Sequence, residues 1–379
     1  MSSIFTGSIS ISLFGESHGK AIGVVIDNLP PGEELDMDRI RSFMARRAPR
    51  PSGPDPAAAA STSRKEPDEP NILSGVFDGR TTGTPLACII ENVGNHSGDY
   101  RDLKHTPRPG HADYSGSLRY KGYNDFRGGG HFSGRLTAPL TFAGAVAAQI
   151  LERRGIFCGA HIYSIGGIKD KAWDFTDIKK EDLLALRGKK LAVINDAAGK
   201  KMMDAVKSAK ADGDSLGGIT ECCVTGLPAG IGSPIFGGLE NIISGLVFGI
   251  PAVKGLEFGA GFAVADMTGS ECNDEMYYEN TEQRTDMRNP AIKIQSRTNN
   301  NGGILGGIST GDPIIFRVAV KPTPSISKPQ NTVNLRAMEN TELSVTGRHD
   351  ACIVPRVVPV IEAAANIAVL SALKSELAL

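Results

Sequence analysis

Apolar and polar residues alternate near the start of the chain, as they do in half-buried strands. Residues 9–13 (Ile-Ser-Ile-Ser-Leu) and residues 22–26 (Ile-Gly-Val-Val-Ile) form two such runs, and the glycine-bounded segment Gly15–Gly19 separates them. The pattern therefore predicts two strands around a turn within residues 8–27.

Further along the chain, apolar residues recur every three or four positions, which is the spacing of an amphipathic helix. Helices are predicted over Asp36–Arg47, Arg135–Arg154, Lys200–Lys210 and Val360–Leu377. Strands and helices do not follow a steady βαβ order, so the pattern favours an α+β fold over a doubly wound parallel sheet. We expect one domain that covers residues 1–379.

Two segments about 200 residues apart resemble each other. Residues 23–32 and residues 222–230 both run from an apolar strand into a Leu-Pro-x-Gly turn, and a helical pattern follows each. An internal pseudo-repeat and chance are equally good explanations of this similarity. Residues 49–63 combine prolines with consecutive alanines, and we expect them to form an exposed, mobile loop.

Composition narrows the class of protein. The 41 Lys and Arg residues balance 42 Asp and Glu residues, so the chain lacks the strongly basic character of a nucleic-acid-binding domain. Glycine is abundant, with 45 of 379 residues, but it has no triplet period. Clustered glycines of this kind indicate tight turns and close approaches of backbone to a ligand.

The cysteines and the N-terminus point to a cytoplasmic protein. The six cysteines show no Cys-x-x-Cys spacing, and the first ten residues lack the charged and apolar regions of a signal peptide. No apolar run is expected to approach the roughly 20 residues needed to span a bilayer. We therefore expect reduced thiols and no membrane association.

Four of the seven histidines lie in glycine-rich or charged clusters: His18, His111, His131 and His349. A single histidine is usually a structural residue, but four in such settings favour proton transfer, because imidazole titrates near neutral pH. Residues 126–135 (Phe-Arg-Gly-Gly-Gly-His-Phe-Ser-Gly-Arg) lead into a predicted helix at about Ser133, where backbone N–H groups and arginines suit a phosphate. No metal-ligand spacing occurs, so no metal site is predicted.

From the residues alone, the chain contains a site for a polyanionic small ligand. The same clusters, in this order, resemble the chorismate synthase family from Gly15 to Glu362. The matching motifs are GESHG, RPGHAD, RGGGHxSGR, NNxGGIxGGIS, KPTxSI and GRHDxC. The resemblance implies an α+β domain in which helices are sandwiched between antiparallel β-sheets.

The resemblance also implies a reaction. Members of this family catalyse the anti 1,4-elimination of phosphate from 5-enolpyruvylshikimate 3-phosphate to give chorismate, and they require reduced FMN (FMNH2). By motif, His18 corresponds to the histidine that protonates the departing phosphate, and His111 to the one that stabilises the reduced cofactor. Asp350 corresponds to the aspartate that assists proton removal.

Binding residues are implied in the same way. The cofactor-binding candidates are His131, Phe132, Ser133, Ala252, Gly306, Lys321, Pro322, Thr323, Pro324, Ser325 and Arg348. The candidates for binding substrate or NADPH anions are Arg47, Arg127, Arg135 and Arg356. The resemblance further implies a homotetramer, with NADPH as a possible indirect reductant.

Two departures from the family pattern affect these assignments. The segment after Pro49 is longer than usual, so Arg50 or Arg64 is the candidate to replace a functional arginine expected there. Pro251-Ala252 stands where some members have Asn-Ala. Two other function classes stay open: a flavin reductase, which would consume NAD(P)H stoichiometrically, and a non-catalytic anion-binding protein, which would show no turnover.

Overall fold

The computed structural model describes residues 3–49, 60, 67–93, 104–278, 294–345 and 349–377. The strands in this part of the chain are β1 Ile4–Phe5, β2 Ser10–Gly15, β3 Ala21–Asp27, β4 Asn71–Ser74, β5 Val76–Phe77, β6 Arg80–Thr81, β7 Leu86–Glu91, β8 Phe157–Ile165, β9 Ile168–Lys169, β10 Gly218–Thr225, β11 Val253–Phe258, β12 Met276–Tyr278, β13 Ile294–Ser296, β14 Ile304–Leu305, β15 Ile308–Ser309, β16 Ile314–Val320, β17 Gln330–Asn334 and β18 Glu339–Leu343. The helices are α1 Met37–Ala45, α2 Asp113–Arg119, α3 Thr137–Glu152, α4 Lys180–Gly188, α5 Asp196–Ala211, α6 Leu239–Val247, α7 Gly269–Cys272 and α8 Val354–Leu377.

Two five-stranded antiparallel sheets form the outer layers. The first has the order β1-β2-β3-β7-β4, and the second has the order β11-β16-β10-β8-β9. The predicted strand pair within residues 8–27 is confirmed as β2 and β3, which pair from Ser10 opposite Asp27 to Gly15 opposite Ile22. Two-stranded antiparallel sheets account for the remaining strands of the described residues.

Helices α3 and α8 pack against each other between the two sheets. Helix α3 also contacts β3 and β7 of the first sheet, and α8 contacts β8 and β10 of the second. Every residue of α3 except Glu152 is buried, as expected for a helix that is apolar on all sides. The α+β fold with helices sandwiched between antiparallel sheets is therefore confirmed.

The two central helices approach closely because small residues face each other. A Cβ atom built on Gly144 of α3 would lie 2.1 Å from the Cβ of Ala363 in α8. Most of the buried apolar side chains of both sheets and both helices belong to one continuous core. The six cysteines are free thiols, and five of them are buried.

The predicted helices are present, with different ends. Helix α5 begins four residues before the predicted Lys200, because Asn195 caps it by accepting hydrogen bonds from two backbone N–H groups. Helix α8 begins six residues before Val360. The prolines at 355 and 359 concealed this start: Pro355 lies in the first turn, where its missing N–H would have no partner within the helix, and Pro359 lies inside the helix.

Helix α8 corrects the expectation drawn from apolar runs. Residues 354–375 are long and apolar enough to cross a membrane by length and composition. However, 94% of its most apolar window is buried inside the protein, as in the core helix of a soluble protein.

The two similar segments occupy corresponding places in the fold. Strands β3 and β10 are each the middle strand of a five-stranded sheet. After the shared turn, β3 leads into α1, whereas β10 leads through a short 3₁₀ turn into α6. This correspondence supports the pseudo-repeat over chance similarity, although the intervening lengths differ.

A buried ionic cluster lies on the second sheet. His161 is fully buried, with Nε2 3.0 Å from Glu221 Oε2 and Nδ1 3.3 Å from Asp170 Oδ2. Both carboxylates accept hydrogen bonds, so both ring nitrogens donate and the ring is an imidazolium. Burial alone lowers the pKa of His161, but the hydrogen bonds to the two carboxylates raise it above its ordinary value.

Candidate active site

A cavity of about 1120 Å³ opens beside the first turns of α3 and α8. Its walls come from β2, the loops at residues 108–112 and 128–135, residues 249–254, residues 321–325 and the start of α8. Among the described residues, the cavity is lined by six cationic side chains, Arg47, Arg108, Arg135, Lys254, Lys321 and Arg356, and by one carboxylate, Asp350. The net charge of the chain is only −1, so positive charge is concentrated locally here.

The two predicted catalytic histidines lie against adjacent glycines. A Cβ on Gly128 would lie 2.1 Å from His18 Cε1, and a Cβ on Gly129 would lie 3.0 Å from His111 Nε2. Both glycines have positive φ angles, 59° and 88°. The triple-glycine loop therefore brings both imidazole rings to one wall of the cavity. Side chains at these two positions would collide with the rings, so only glycine allows this arrangement.

The His18 ring is oriented by its neighbour in the sequence. Ser17 Oγ donates a hydrogen bond of 3.2 Å to the backbone carbonyl of Arg127 and lies 3.1 Å from His18 Nδ1. A serine hydroxyl has one proton, so the same oxygen accepts a hydrogen bond from Nδ1. His18 is 9% exposed and lines the cavity.

His111 pairs with a carboxylate that sequence reasoning did not select. Its Nδ1 lies 2.6 Å from Asp113 Oδ1. Arg108 donates to the same carboxylate from its backbone N–H, from Nε at 2.7 Å and from Nη2 at 2.8 Å. Burial raises the pKa of Asp113, but the hydrogen bonds from Arg108 and His111 outweigh it and hold that pKa well below its ordinary value.

The remaining residues of the glycine loop form another wall. His131 is held through Nδ1, 2.8 Å from the Gly15 carbonyl, and through Nε2, 2.5 Å from Ser3 Oγ. Phe132 packs on Gly116, where a Cβ would lie 2.5 Å from the phenyl ring. Ser133 caps the helical segment that begins at Gly134, close to the predicted helix start. All three predicted cofactor-binding residues of this loop line the cavity.

Asp68 holds two of the predicted anion-binding arginines. Asp68 is 3% exposed, and its carboxylate pairs with Arg47 Nη1 at 2.6 Å and with Arg135 Nη1. Burial raises the pKa of Asp68, but the charges of the two arginines outweigh it and lower the pKa below its ordinary value. Arg47 also donates to Thr137 Oγ1 at 3.1 Å, so its guanidinium has a defined direction.

Asp350 and Arg356 form an ion pair at the start of α8. Arg356 Nη1 lies 2.5 Å from Asp350 Oδ2, and Arg356 Nε donates to the Arg47 carbonyl at 2.9 Å. Both side chains line the cavity together with His349. The predicted base and a predicted anion-binding arginine are thus in direct contact.

The 321–325 segment reaches the cavity beside the loop at residues 108–112. Lys321 Nζ donates to the Gly110 carbonyl, and Arg108 Nη1 donates to Ser325 Oγ at 3.0 Å. Burial and the charge of Lys254 lower the pKa of Lys321. Thr323 Oγ1 is buried at the cavity wall with no hydrogen-bond partner in the described part of the protein.

Ala252 lies beside this segment with a φ of 74°, a left-handed conformation that is strained for alanine. Its carbonyl accepts a hydrogen bond of 2.9 Å from the Lys321 backbone N–H. Ala252 and Pro324 both line the cavity, whereas Pro322 does not.

Two further predicted site residues do not line the cavity of this chain. Gly306 is at the tip of the β14–β15 hairpin, where a Cβ would meet nothing within 4 Å. The neighbouring Gly302 and Gly303 make close approaches to the protein's own backbone, not to the cavity. Arg127 turns away and pairs with Asp125 at 2.8 Å, with 41% of its side chain exposed.

Arg348 lies outside the described residues, as do Arg50 and Arg64. The predicted loop at 49–63 is described only at Pro49 and Ala60. Within the described ranges, no group of three or more His, Cys, Asp or Glu side chains could hold a metal ion.

Sequence reasoning missed Asp68, Arg108, Asp113 and Lys254. Asp113 lies two residues after His111 within the RPGHAD motif, so an Arg-x-x-His-x-Asp spacing in a turn was the available signal. Asp68 had none, because it contacts Arg47 and Arg135 only through the fold.

The chain is similar to known proteins over nearly its whole length. The family model described as chorismate synthase matches residues 9–373. The chorismate synthase of Thermococcus kodakarensis is 45% identical over 354 residues, which cover 93% of this chain and 92% of that protein. That of Korarchaeum cryptofilum is 43% identical over 359 residues, 95% of this chain and 94% of the relative. A solved structure titled "Crystal Structure of Chorismate Synthase" superposes with a TM-score of 0.72 at 27% identity, covering 97% of this chain and 92% of that one.

Proposed function

The chain belongs to the chorismate synthase family, whose members are carbon–oxygen lyases of the shikimate pathway to the aromatic amino acids, and we propose its reaction, cofactor and site residues as follows. The substrate is 5-enolpyruvylshikimate 3-phosphate, and the reaction is the anti 1,4-elimination of its phosphate to give chorismate. Reduced FMN is the cofactor. One observation supports the proposal most strongly: both proposed catalytic histidines and six cationic side chains line the same cavity.

The charges of the cavity suit this substrate. The substrate carries one phosphate and two carboxylates, and guanidinium groups bind both kinds of anion with two parallel hydrogen bonds. Arg47, Arg135 and Arg356 line the cavity and are our candidates for these contacts. Asp68 orients the first two, so that little conformational entropy is lost when an anion binds.

The cavity also suits a flat phosphorylated cofactor. Its volume of about 1120 Å³ exceeds the roughly 300–1,000 Å³ typical of a pocket for one small ligand, which allows a substrate and a cofactor together. The buried hydroxyl of Thr323 lacks a partner in the described protein, and a phosphate oxygen would satisfy it. Lys321, Ser325, Phe132 and Ala252 are further candidates for holding FMN.

The elimination breaks the C3–O bond to phosphate and the C6–H bond, and it leaves the substrate with no net oxidation or reduction. Reduced FMN would supply electron density transiently to the substrate and collect the C6 hydrogen. In our proposal, His18 donates a proton to the departing phosphate. His111 stabilises the negative charge of the reduced cofactor, and Asp350 assists removal of the proton.

We further propose that the functional unit is a cytoplasmic homotetramer of one-domain chains, with NADPH as an indirect reductant. Phe236 and Phe262 are 90% and 85% exposed, and large exposed apolar side chains are typical of surfaces that associate. The hairpin that carries Gly306 packs beside the turn that carries Phe236, through the bridge between Gly232 and Ile308. Gly306 would then contact the cofactor of a neighbouring subunit.

An anaerobic assay with chemically reduced FMN and the proposed substrate tests the function directly. Chorismate and free phosphate should form in equal amounts without stoichiometric loss of reduced cofactor. The His18→Ala variant should turn over at least about 10²-fold more slowly, since general-acid catalysis contributes about 10²–10⁴-fold. His105→Ala is the matched control, because His105 does not line the cavity. Stoichiometric consumption of NAD(P)H would indicate a flavin reductase instead.

A further inference from the structure

We propose that Asp113 is a positioning residue for His111: it fixes the neutral imidazole as the tautomer with its proton on Nδ1. The proposal rests on the proposed function for the role of His111, and it rests on the structure for the geometry. Asp113 does not touch the substrate in this proposal, and it acts through the histidine ring.

The geometry determines the tautomer. The Nδ1–Oδ1 separation of 2.6 Å is that of a short, charge-assisted hydrogen bond. A carboxylate has only acceptors, and the pKa of Asp113 lies well below its ordinary value, so Nδ1 must donate. Nε2 is then the nitrogen that gains or loses a proton, and the ring can stabilise a negative charge in the cavity once Nε2 is protonated.

Arg108 does not compete for Nδ1. Its Nη2 lies 3.1 Å from Nδ1 and 3.3 Å from Nε2, and a guanidinium has only donors. It can therefore hydrogen-bond only to the ring nitrogen that lacks a proton, which is Nε2 when Nδ1 donates to Asp113. Its directed hydrogen bonds go to Asp113 and Ser325, and they hold the carboxylate in place.

The glycine loop keeps Nε2 accessible. A Cβ on Gly129 would lie 3.0 Å from this nitrogen, so a side chain there would crowd it. His111 and Arg108 both line the cavity, and Nε2 is the only ring nitrogen not committed to Asp113. The three residues thus form a carboxylate–imidazole pair braced by a guanidinium, with its reactive nitrogen on the cavity side.

Asp113→Asn should reverse the tautomer. Oδ2 accepts two hydrogen bonds from Arg108, from the backbone N–H and from Nε, so the amide oxygen of asparagine should take that place. The amide NH₂ would then face His111 Nδ1, which must become an acceptor. An amide in place of the carboxylate of such a pair can leave the geometry intact and still cost about 10⁴-fold in rate.

Nitrogen NMR of enzyme with ¹⁵N-labelled histidine tests the proposal without measuring activity. The His111 signals are assigned by their loss in His111→Gln. The deprotonated ring should carry its proton on Nδ1 in the wild type and on Nε2 in Asp113→Asn. Asp204→Asn is the matched control, since Asp204 pairs with Lys207 on an exposed helix face, and it should leave the signals unchanged.

A wild-type ring protonated on Nε2 would overturn the proposal, whether or not the variant folds. So would a folded Asp113→Asn variant that keeps the Nδ1 tautomer, because any loss of activity would then be structural. A reversed tautomer with a fall in kcat of about 10²–10⁴-fold supports it. The tautomer and the elimination activity are measured separately, so the two proposals can fail separately. If the wild-type ring carries its proton on Nδ1 but the protein does not catalyse the elimination, only the proposed reaction is refuted.

Discussion

Gly128→Ala tests whether the glycine loop sets the position of the proposed general acid. The new Cβ would lie 2.1 Å from Cε1 and 2.3 Å from Nδ1 of His18. Carbon atoms in contact are normally about 3.5–4.0 Å apart, so the ring must move by roughly 1.5 Å. A displacement of about 1 Å can cost 10²-fold in rate. We therefore expect kcat to fall by at least about 10²-fold. The loss should not exceed about 10⁴-fold, which is the largest contribution that general-acid catalysis typically makes.

The variant also has a cost to stability that must be separated from the cost to catalysis. Gly128 has a φ of 59°, and alanine in the left-handed region costs roughly 1–2 kcal/mol. Gly122→Ala is the matched control, because Gly122 has a φ of 77° and nothing within 4 Å of its Cβ position. Both variants should lose similar stability in chemical denaturation, but only Gly128→Ala should lose activity.

The measurement is chorismate and phosphate formation under anaerobic conditions at saturating substrate and reduced FMN. Gly129→Ala should show a smaller loss, since its Cβ would lie 3.0 Å from His111 Nε2 and a shift of a few tenths of an ångström relieves the contact. If Gly128→Ala were as active as Gly122→Ala, His18 could not be the acid whose position this loop defines.

Two further predictions concern stability and its dependence on pH. Asp68→Asn should lower the free energy of unfolding by about 3–5 kcal/mol near neutral pH, because it breaks a buried carboxylate's pairing with two arginines. Folding lowers the pKa of Asp68, so the difference in free energy of unfolding between wild type and variant should be largest above about pH 4 and should shrink as the pH falls through the folded-state pKa. A difference that did not change with pH would contradict the pairing. His161→Gln should lower the free energy of unfolding below about pH 6.5, where the histidine of the wild type is protonated in the unfolded state as well as in the folded state. The pKa of His161 is raised by folding, so the difference from wild type should shrink as the pH rises through the folded-state pKa, and denaturant titrations at several pH values measure both trends.

The spacing of apolar residues predicted strands and helices well where a single periodicity runs through the whole segment. Alternation predicted the strand pair within residues 8–27, and helical spacing predicted the core helix beginning near Arg135. Helix ends were less accurate, as α8 illustrates, because prolines near the start of a helix resemble a loop in sequence. Neither pattern could show that α3 and α8 are stacked between the two sheets.

The candidate site divides in the same way. The candidate histidines and arginines could be identified from the glycine-rich motifs, because proton transfer and anion binding require those side chains. The partners that orient them could not. Asp68 lies 21 residues from Arg47 and 67 from Arg135, and nothing in local spacing brings the three together.

The sequence alone determined which residue types were available and which short segments form strands, helices and turns, because these depend on neighbours within a few positions. It also carried the six motifs from which family and chemistry were inferred. Only the tertiary structure decided that His18 and His111 lie on adjacent glycines, that Asp113 is aligned with one ring nitrogen, and that Gly306 is away from the cavity of its own chain. Those facts depend on contacts between distant segments, which packing and buried charge select over the whole chain.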